Sequence, residues 1–199
     1  QRCFDCGQHF HGVVWLALGW ASWKAYLGRP DTDDYRRMGM GILGSALHMM
    51  ERNEEALPVL EANLDLCRRY WSHDETNVFA AQSNLASCLA ALGRCDRALV
   101  LMRETYSRCV AIHGVSDESA IRAGANVAVA LIQLEIWDES RTLLRDQLLP
   151  AARRLLGNDD DLTLGIKQAL ADILLFDPER TRDDLLKAET ILQDVVQRR

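Results

Sequence analysis

A self-similarity at an interval of 42 residues constrains the fold of this 199-residue chain more than any other feature of its sequence. Residues 84–99 (NLASCLAALGRCDRAL) align without gaps with residues 126–141 (NVAVALIQLEIWDESR) and with residues 42–57 (ILGSALHMMERNEEAL). The apolar residues recur at helical spacing, and the alternation that is typical of strands is absent from the sequence. An interval of this length predicts stacked copies of one helical unit.

Each unit is expected to contain two amphipathic helices. In the second unit we predict the first helix over about residues 77–92 and the second over about residues 96–113. Gly93 lies between them and can adopt the left-handed conformation that ends a helix. Acidic residues that follow the glycine or loop at the end of each unit are interpreted as N-caps. They are Asp74, Asp117 and the run Asp159–Asp161.

The repeat register also predicts how the chain is divided. After residue 176 the register breaks, and six additional residues, Asp177–Arg182, restore it. Pro178 within them makes a loop plausible. The predicted segments are a Cys/His-containing stretch (1–12), a Trp-rich helix and linker equivalent to half a repeat (13–34), three repeats (35–77, 78–119 and 120–161) and a degenerate fourth repeat (162–199).

Small residues recur where the paired helices would cross, and they support a family resemblance. They are Gly44, Ala86 and Ala128 in the first helices, and Ala56, Ala98 and Ser140 in the second. With Asn84-Leu85-Ala86, the Leu92-Gly93 turn and the stretch LGND at residues 156–159, these residues resemble tetratricopeptide repeats of the kinesin-light-chain type. The resemblance covers about residues 35–176, and Leu stands at 47, 89 and 131 where a Tyr is common in the family.

The resemblance implies an all-α fold, a right-handed α-solenoid of antiparallel helix pairs, whose first helices line a concave groove. In such a groove a peptide or helix of another protein would bind. The groove residues expected from this geometry are Ser45 and His48, then Ala80, Ser83, Asn84 and Ser87, and then Arg122, Ala125, Asn126, Val129 and Gln133.

Most of these groove residues are small, so that another polypeptide could approach closely. Asn84 and Asn126 can each donate and accept hydrogen bonds, which suits an extended peptide backbone. The alternative is that both asparagines bond to neighbouring repeats. Arg122 could meet a carboxylate.

The N-terminal segment Val13–Leu27 is strongly apolar, and Trp15, Trp20 and Trp23 fall on one broad helical face. We expect these tryptophans to pack on the first helix of repeat one. An exposed aromatic patch for a partner is the alternative.

The cluster Cys3, Cys6, His9 and His11 supplies four groups that zinc accepts. Structural zinc sites usually separate their two ligand pairs by ten or more residues, so nine consecutive residues would close tightly on one ion. The alternative is an exposed end of the chain. Because the sequence begins at Gln1 rather than Met, we expect it to be part of a longer chain, which could supply further ligands.

No motif in the sequence indicates catalysis. Gly39, Gly41 and Gly44 match the dinucleotide-binding pattern G-x-G-x-x-G, but no strand precedes them, and the register predicts that they lie inside a helix. A P-loop, a nucleophile elbow and the pattern His-Glu-x-x-His are absent from the sequence. We therefore predict a protein that is not an enzyme and has no cofactor except zinc at the N-terminal cluster.

Charge and composition exclude further classes of partner. The chain has 23 Lys and Arg against 29 Asp and Glu, a net charge of −6, which argues against a nucleic-acid surface. The longest stretch without these four residue types, residues 6–23, is too short and too polar to span a membrane. Cysteines inside apolar helical patterns and the lack of a glycosylation sequon favour a reducing, cytoplasmic setting.

The sequence therefore predicts a non-catalytic scaffold or adaptor whose partner is another protein, without nucleic acid, membrane or small-molecule substrate. Two alternatives remain open. One is a zinc-assisted regulatory module that contains the N-terminal cluster, and the other is an accessory repeat domain of a larger enzyme.

Overall fold

The computed structural model describes residues 12–72 and 74–198, and all regular secondary structure in these ranges is helical. The helices are α1 (Gly12–Tyr26), α2 (Asp34–Met49), α3 (Asn53–Tyr70), α4 (Glu75–Ala91), α5 (Cys95–His113), α6 (Glu118–Gln133), α7 (Trp137–Thr142), α8 (Leu149–Leu155), α9 (Asp161–Phe176) and α10 (Arg182–Arg198). The predicted all-α class is thus confirmed. Among these helices, none combines the length and apolar character that a membrane crossing requires.

The chain divides into two compact units, Gln1–Ala98 and Leu99–Arg199. In the first unit, α1 packs on α2, α2 on α3, and α3 on α4. In the second unit, α6 packs on α7 and α9, and α9 on α10. Helices that follow one another through short connections are therefore the ones that pair, as the repeat pattern predicts.

Burial follows the 42-residue interval. In the first helices the equivalent residues Leu47, Leu89, Leu131 and Ile173 are at most 1% exposed. In the second helices Ala56, Ala98, Ser140 and Ala188 are fully buried, and the last of them comes into register only after the six additional residues. Ser140 keeps its hydroxyl satisfied by donating to the carbonyl of Ala128 at 3.0 Å. The degenerate repeat therefore uses the same packing positions as the others.

The glycines of the G-x-G-x-x-G match lie inside α2, as the register predicts. A Cβ atom on Gly44 would lie 2.5 Å from Cδ2 of Leu60 in α3, and one on Gly39 would lie 3.3 Å from the carbonyl oxygen of Ser22 in α1. Gly39 and Gly44 thus let neighbouring helices approach α2 closely.

The turn from each first helix to its second helix is the same in the first three repeats. A backbone N–H closes each turn by donating to a carbonyl five residues earlier, with N···O distances of 2.8–2.9 Å. The pairs are Arg52 to Leu47, Arg94 to Leu89 and Ile136 to Leu131. The residue before each donor has a positive φ: Glu51 (59°), Gly93 (73°) and Glu135 (58°). Only the second repeat places a glycine there, where glycine has no steric penalty.

The acidic residues between repeats cap the first helices, as expected. Each aspartate accepts a hydrogen bond from a backbone N–H in the first turn of its helix, and Asp160 is the capping member of the Asp159–Asp161 run. The caps are Asp33 to Arg36 (3.1 Å), Asp74 to Asn77 (3.2 Å), Asp117 to Ser119 (2.9 Å) and Asp160 to Leu162 (2.9 Å).

The N-terminal helix α1 departs from its prediction. It packs on α2, but the buried position is Gly19, whose Cα faces the backbone of Leu43. Trp15 and Trp23 are half-buried, whereas Trp20 is 38% exposed. The expectation that all three tryptophans form the core face is therefore wrong for Trp20. An apolar residue occupies almost every position of α1, and one neighbouring helix can cover only one side of it.

The second helix of the third repeat contains a π-helical segment that the sequence did not reveal. Leu143–Leu148 has π-helical bonding between α7 and α8, and the N–H of Leu149 donates to the carbonyl of Leu144. Pro150 follows at once and explains the widening, because proline lacks an N–H and its ring clashes with the carbonyl four residues earlier.

A buried lysine joins α9 and α10, the two helices of the fourth repeat. Lys167 of α9 is 3% exposed, and its Nζ lies 2.7 Å from Oδ2 of Asp194 in α10. Asp194 also accepts from Nε of Arg198 at 2.5 Å, and Arg198 pairs in turn with Asp159. Hydrogen bonds from Arg198 and Lys167 lower the pKa of the Asp194 carboxyl to about 2.

Replacing Glu135 by Gly is expected to stabilise the protein. Glycine relieves the positive φ, and after its own entropic cost the free energy of unfolding should rise by about 0.5–1 kcal/mol. Glu135→Ala removes the carboxylate but keeps the strained backbone, so it should leave stability nearly unchanged. Urea unfolding measures both variants, and a gain shared equally by Ala and Gly would contradict the explanation.

Replacing Ala86 by Leu should overpack the buried side of α4. Ala86 is fully buried, so the added atoms must displace neighbours at a cost of about 1–3 kcal/mol in the free energy of unfolding. Ala80→Leu, on the exposed side of the same helix, is the matched control and should change stability by less than about 0.5 kcal/mol. Equal tolerance of the two leucines in thermal melts would refute the helix register.

The network around Asp194 predicts acid sensitivity. Because the folded state lowers the pKa of Asp194 from its ordinary 3.8 to about 2, its contribution to stability is complete above pH 4 and is lost as the pH falls towards 2. Asp194→Asn should lower the melting temperature at neutral pH and weaken the further fall between pH 4 and 2. Asp138→Asn, which removes a highly exposed carboxylate, should leave that fall intact.

Candidate functional site

The groove residues predicted in the first unit lie on the first helices α2 and α4. On α4 they are spaced i, i+3, i+4 and i+7, which places them on one side of the helix, and all four are exposed or half-exposed. They are Ala80, Ser83, Asn84 and Ser87, which we call the α4 face. The residues between them, among them Ala81, Leu85 and Ala86, are buried. Within the described part of the chain these four residues thus lie on the side of α4 away from its buried residues, and their role in binding stays a prediction.

The second unit shows the same arrangement on α6. Arg122, Val129 and Gln133 are exposed or half-exposed, while Ala125 and Asn126 are half-buried. These five residues are called the α6 face. The opposite side of α6 is buried, with Ile121, Val127 and Leu131 in the core of the second unit.

The two equivalent asparagines are accessible and unengaged. Asn84 and Asn126 are each half-exposed, and neither side chain makes a hydrogen bond to another residue in the described part of the chain. The alternative, in which the amides bond to neighbouring repeats, finds no support in this geometry. Each amide can therefore donate two hydrogen bonds and accept others from a bound molecule.

Two other predicted residues have local partners. Nδ1 of His48 lies 2.6 Å from Oδ1 of Asn53, the first residue of α3, so His48 joins the two helices of repeat one. Ser45 is half-exposed one helical turn earlier on α2.

Arg122 donates to Glu118, one turn earlier on α6, at 2.5 Å. Both side chains of that pair are more than half exposed, so the pair is weak and the guanidinium remains accessible to another carboxylate.

The chemistry of the described residues does not indicate catalysis. They contain no group of three or more His, Cys, Asp or Glu side chains that could hold a metal ion. Burial raises the pKa of the Cys67 and Cys88 thiols, which disfavours the nucleophilic thiolate. The proposed zinc ligands Cys3, Cys6, His9 and His11 lie outside the described residues.

The prediction from sequence missed two cavities on the side of the second helices. Both lie within the second unit, one of about 610 Å³ beside Tyr106 and Gln147, and one of about 680 Å³ beside Leu149 and Ile191. A comparison of charged residues at equivalent repeat positions could have identified the second cavity, because its charge pattern departs from that of the other repeats.

Comparison with known proteins agrees with this architecture. A tetratricopeptide-repeat family model matches residues 37–109. A search of curated protein sequences gives no match.

Several solved structures share the fold. Two forms of the nearly identical TPR-like repeats of a kinesin-light-chain-like protein from Podosopora anserina, one of them a glutamine-to-methionine variant, are each 16% identical to this chain. The variant superimposes with a TM-score of 0.76 over 93% of this chain and 84% of its own, and the other form with 0.74 over 93% and 85%. BtubC (BKLC) from P. vanneervenii gives a TM-score of 0.74 at 14% identity, over 93% of this chain and 72% of its own.

The family-model match and the structural likeness agree with the resemblance seen in the sequence: residues 37–109 match a tetratricopeptide-repeat model, and the chain shares the fold of kinesin-light-chain-type repeat structures.

Proposed function

We propose that this protein is a non-catalytic interaction scaffold that binds an extended peptide segment of another protein on its first helices. The observation that carries the proposal is the unengaged amide of Asn84 in the first unit, repeated 42 residues later by Asn126 in the second. A side-chain amide without a hydrogen-bond partner among the described residues is available to pair with a peptide N–H and C=O.

The surroundings of Asn84 suit the close approach of a backbone. Ala80, Ser83 and Ser87 are small, so a peptide could lie near the helix without displacing long side chains. Small side chains also lose little conformational entropy when they are covered. The α4 face thus combines a polar anchor with low steric cost.

The α6 face adds a charge preference. Arg122 lies one helical turn before Asn126 and is held only by the exposed pair with Glu118. A carboxylate of the bound segment could replace Glu118 as its partner, and Val129 offers an exposed apolar contact less than one turn beyond Asn126. This face therefore suits a segment with an acidic residue.

The proposed setting is cytoplasmic. Cys67 and Cys88 are buried free thiols that pack in the core of the first unit, and Cys88 also donates to the carbonyl of Asn53 at 3.3 Å. Thiols used in this way are typical of proteins that fold in a reducing compartment.

Replacing Asn84 and Asn126 by Ala should weaken peptide binding without affecting the fold. Each lost hydrogen bond is worth about 0.5–1.5 kcal/mol, so each substitution should reduce affinity by about 2–10-fold. The probes are peptides selected from a random display library on the wild-type protein and then synthesised for calorimetry. Melting temperatures should stay within about 1 °C of the wild type, because neither amide has a hydrogen-bond partner among residues 12–72 and 74–198.

Asn158→Ala, in the loop before α9, is the matched control and should leave peptide affinity unchanged. Selected peptides that bind the double variant as tightly as the wild type would refute the proposal. A fall in stability that parallels the fall in affinity would instead assign the asparagines to the packing of the repeats.

A further inference from the structure

The 680 Å³ cavity in the second unit lies between the second helix of the third repeat, α9 and α10. Its apolar lining comes from Leu149, Leu170, Leu174 and Ile191. Arg145 and Lys187 also line it. The volume lies in the range of pockets that hold ligands, and the apolar lining is large enough to receive a bulky side chain.

At each of the other two junctions between successive second helices, an ion pair joins the two helices, and at the junction of α5 and α7 this pair also lines the 610 Å³ cavity. In the first unit, Glu61 of α3 lies 3.2 Å from Arg97 of α5. In the second unit, Arg103 of α5 lies 2.7 Å from Glu139 of α7. The two pairs occupy equivalent positions, since both members are displaced by 42 residues, although the signs of the charges are exchanged.

The third junction, between the second helix of the third repeat and α10, does not have a cation and a carboxylate at these positions. The same register leads from Arg103 to Arg145 and, across the six additional residues, from Glu139 to Lys187. The assignment of Lys187 is secured by its neighbour Ala188, which is fully buried like Ala98 and Ser140 in the earlier repeats. Two cations therefore stand where the other junctions have a cation and a carboxylate.

Arg145 and Lys187 each form only a weak, solvent-exposed ion pair. Arg145 pairs with the adjacent Asp146 at 2.7 Å, and Lys187 pairs with Asp183 on its own helix at 2.5 Å. The Arg145 and Lys187 side chains are 61% and 59% exposed, and ion pairs of this kind are weak in water. Both cations can therefore turn towards a carboxylate placed between them.

Three acidic residues also line the cavity, and although the charge of Asp184 acts on Lys187, none of the three forms an ion pair with Arg145 or Lys187. Asp177 is buried and pairs with Arg141, one helical turn before Arg145. Asp184 accepts hydrogen bonds from the backbone N–H and the hydroxyl of Thr181, at 2.9 and 2.7 Å. Glu179 lines the cavity from the loop between α9 and α10. These acids belong to the six-residue insertion or to the first turn of α10, whereas Arg145 and Lys187 lie further along their helices.

We propose that this cavity is a second docking site, which takes a peptide of a partner protein with a large apolar side chain against the leucine lining and a neighbouring acidic side chain between Arg145 and Lys187. The glutamates at the other two junctions show which group pairs with a cation at this position, and a glutamate or aspartate of the partner supplies it here. The site is separate from the α4 and α6 faces, because no residue of either face lines the cavity.

Lys187→Glu tests the junction itself, because it supplies within the chain the carboxylate that the partner would bring. In an Asp183→Asn background, which removes the carboxylate that would repel the new glutamate on the same helix, Lys187→Glu should form the Arg145–Glu pair found at the other junctions and raise the melting temperature by about 1–2 °C. The gain should vanish in an Arg145→Gln background. Lys24→Glu is the matched control, the same substitution at an exposed position of α1, and should give no gain that depends on Arg145. A Lys187→Glu variant that is no more stable than this control in the same background would overturn the assignment of the junction.

Binding is tested with a random peptide display library selected on the wild-type protein and depleted on the Lys187→Glu variant. The recovered peptides should carry Asp or Glu within three residues of a large apolar residue. By calorimetry, Lys187→Glu and Arg145→Gln should each weaken the synthetic peptides at least tenfold, while Lys24→Glu should not. Replacing the acidic residue of the peptide by its amide should cause the same loss.

The same selection can overturn the proposal. Recovery of no peptides, or of peptides without an acidic residue, counts against it, as does equal affinity for wild type and Lys187→Glu. Peptides that weaken with Asn84→Ala but not with Lys187→Glu would support binding on the first helices and refute a docking site at this cavity.

Discussion

Close contact between helices at small buried residues is the interaction on which this structure depends. Gly44 leaves no space for a Cβ atom beside Leu60, and Ala86 and Ala128 are fully buried at the equivalent positions of α4 and α6. A single helical hairpin exposes most of its apolar surface, so it is stable only when neighbouring hairpins cover that surface. Small residues at the crossings bring the backbones close enough for larger side chains such as Leu47 and Leu89 to be buried around them.

This packing also determines which residues remain available to a partner. Each first helix commits one side to the core, and the residues in between emerge on the opposite side at the spacing of helical turns. Residues at the exposed positions can therefore be substituted, and the preference for a partner changed, without disturbing the packing where the helices cross. Asn84 and Asn126 illustrate this separation, because they lie two residues before Ala86 and Ala128, which are fully buried, and yet neither asparagine has a partner in the described part of the fold.

Much of the fold could be predicted from the sequence, because it follows from local pattern and repetition. The interval of 42 residues predicted the paired helices, the crossing positions, the aspartate caps and the insertion before α10. The prediction failed where a neighbour, rather than the local pattern, decides the outcome. Trp20 is 38% exposed although α1 packs on α2, and the hydrogen bond between His48 and Asn53 depends on the turn between α2 and α3.

The π-helical segment shows the same limit. Proline at 150 was visible in the sequence, but a proline can kink, end or widen a helix, and the choice depends on how the surrounding side chains pack. Of the candidate site, the exposure of the α4 and α6 faces follows from the sequence, since they are the complement of the core pattern, whereas peptide binding on them stays a prediction. The cavities on the second-helix side were missed because they depend on spaces between helices, which periodicity does not report.

The fourth repeat shows how an array can change its surface while keeping its core. The insertion Asp177–Arg182 shifts the sequence by six residues, yet Ala188 and Ile173 occupy the same buried positions as their counterparts. The insertion contributes Asp177, which pairs with Arg141, and Lys187 and Arg145 line one cavity at positions where the other junctions have a cation and a carboxylate. Burial requires only that apolar positions recur, so the charged positions beside them are free to diverge. A repeat that is degenerate by sequence is therefore the place where a solenoid can acquire a site that its regular repeats lack.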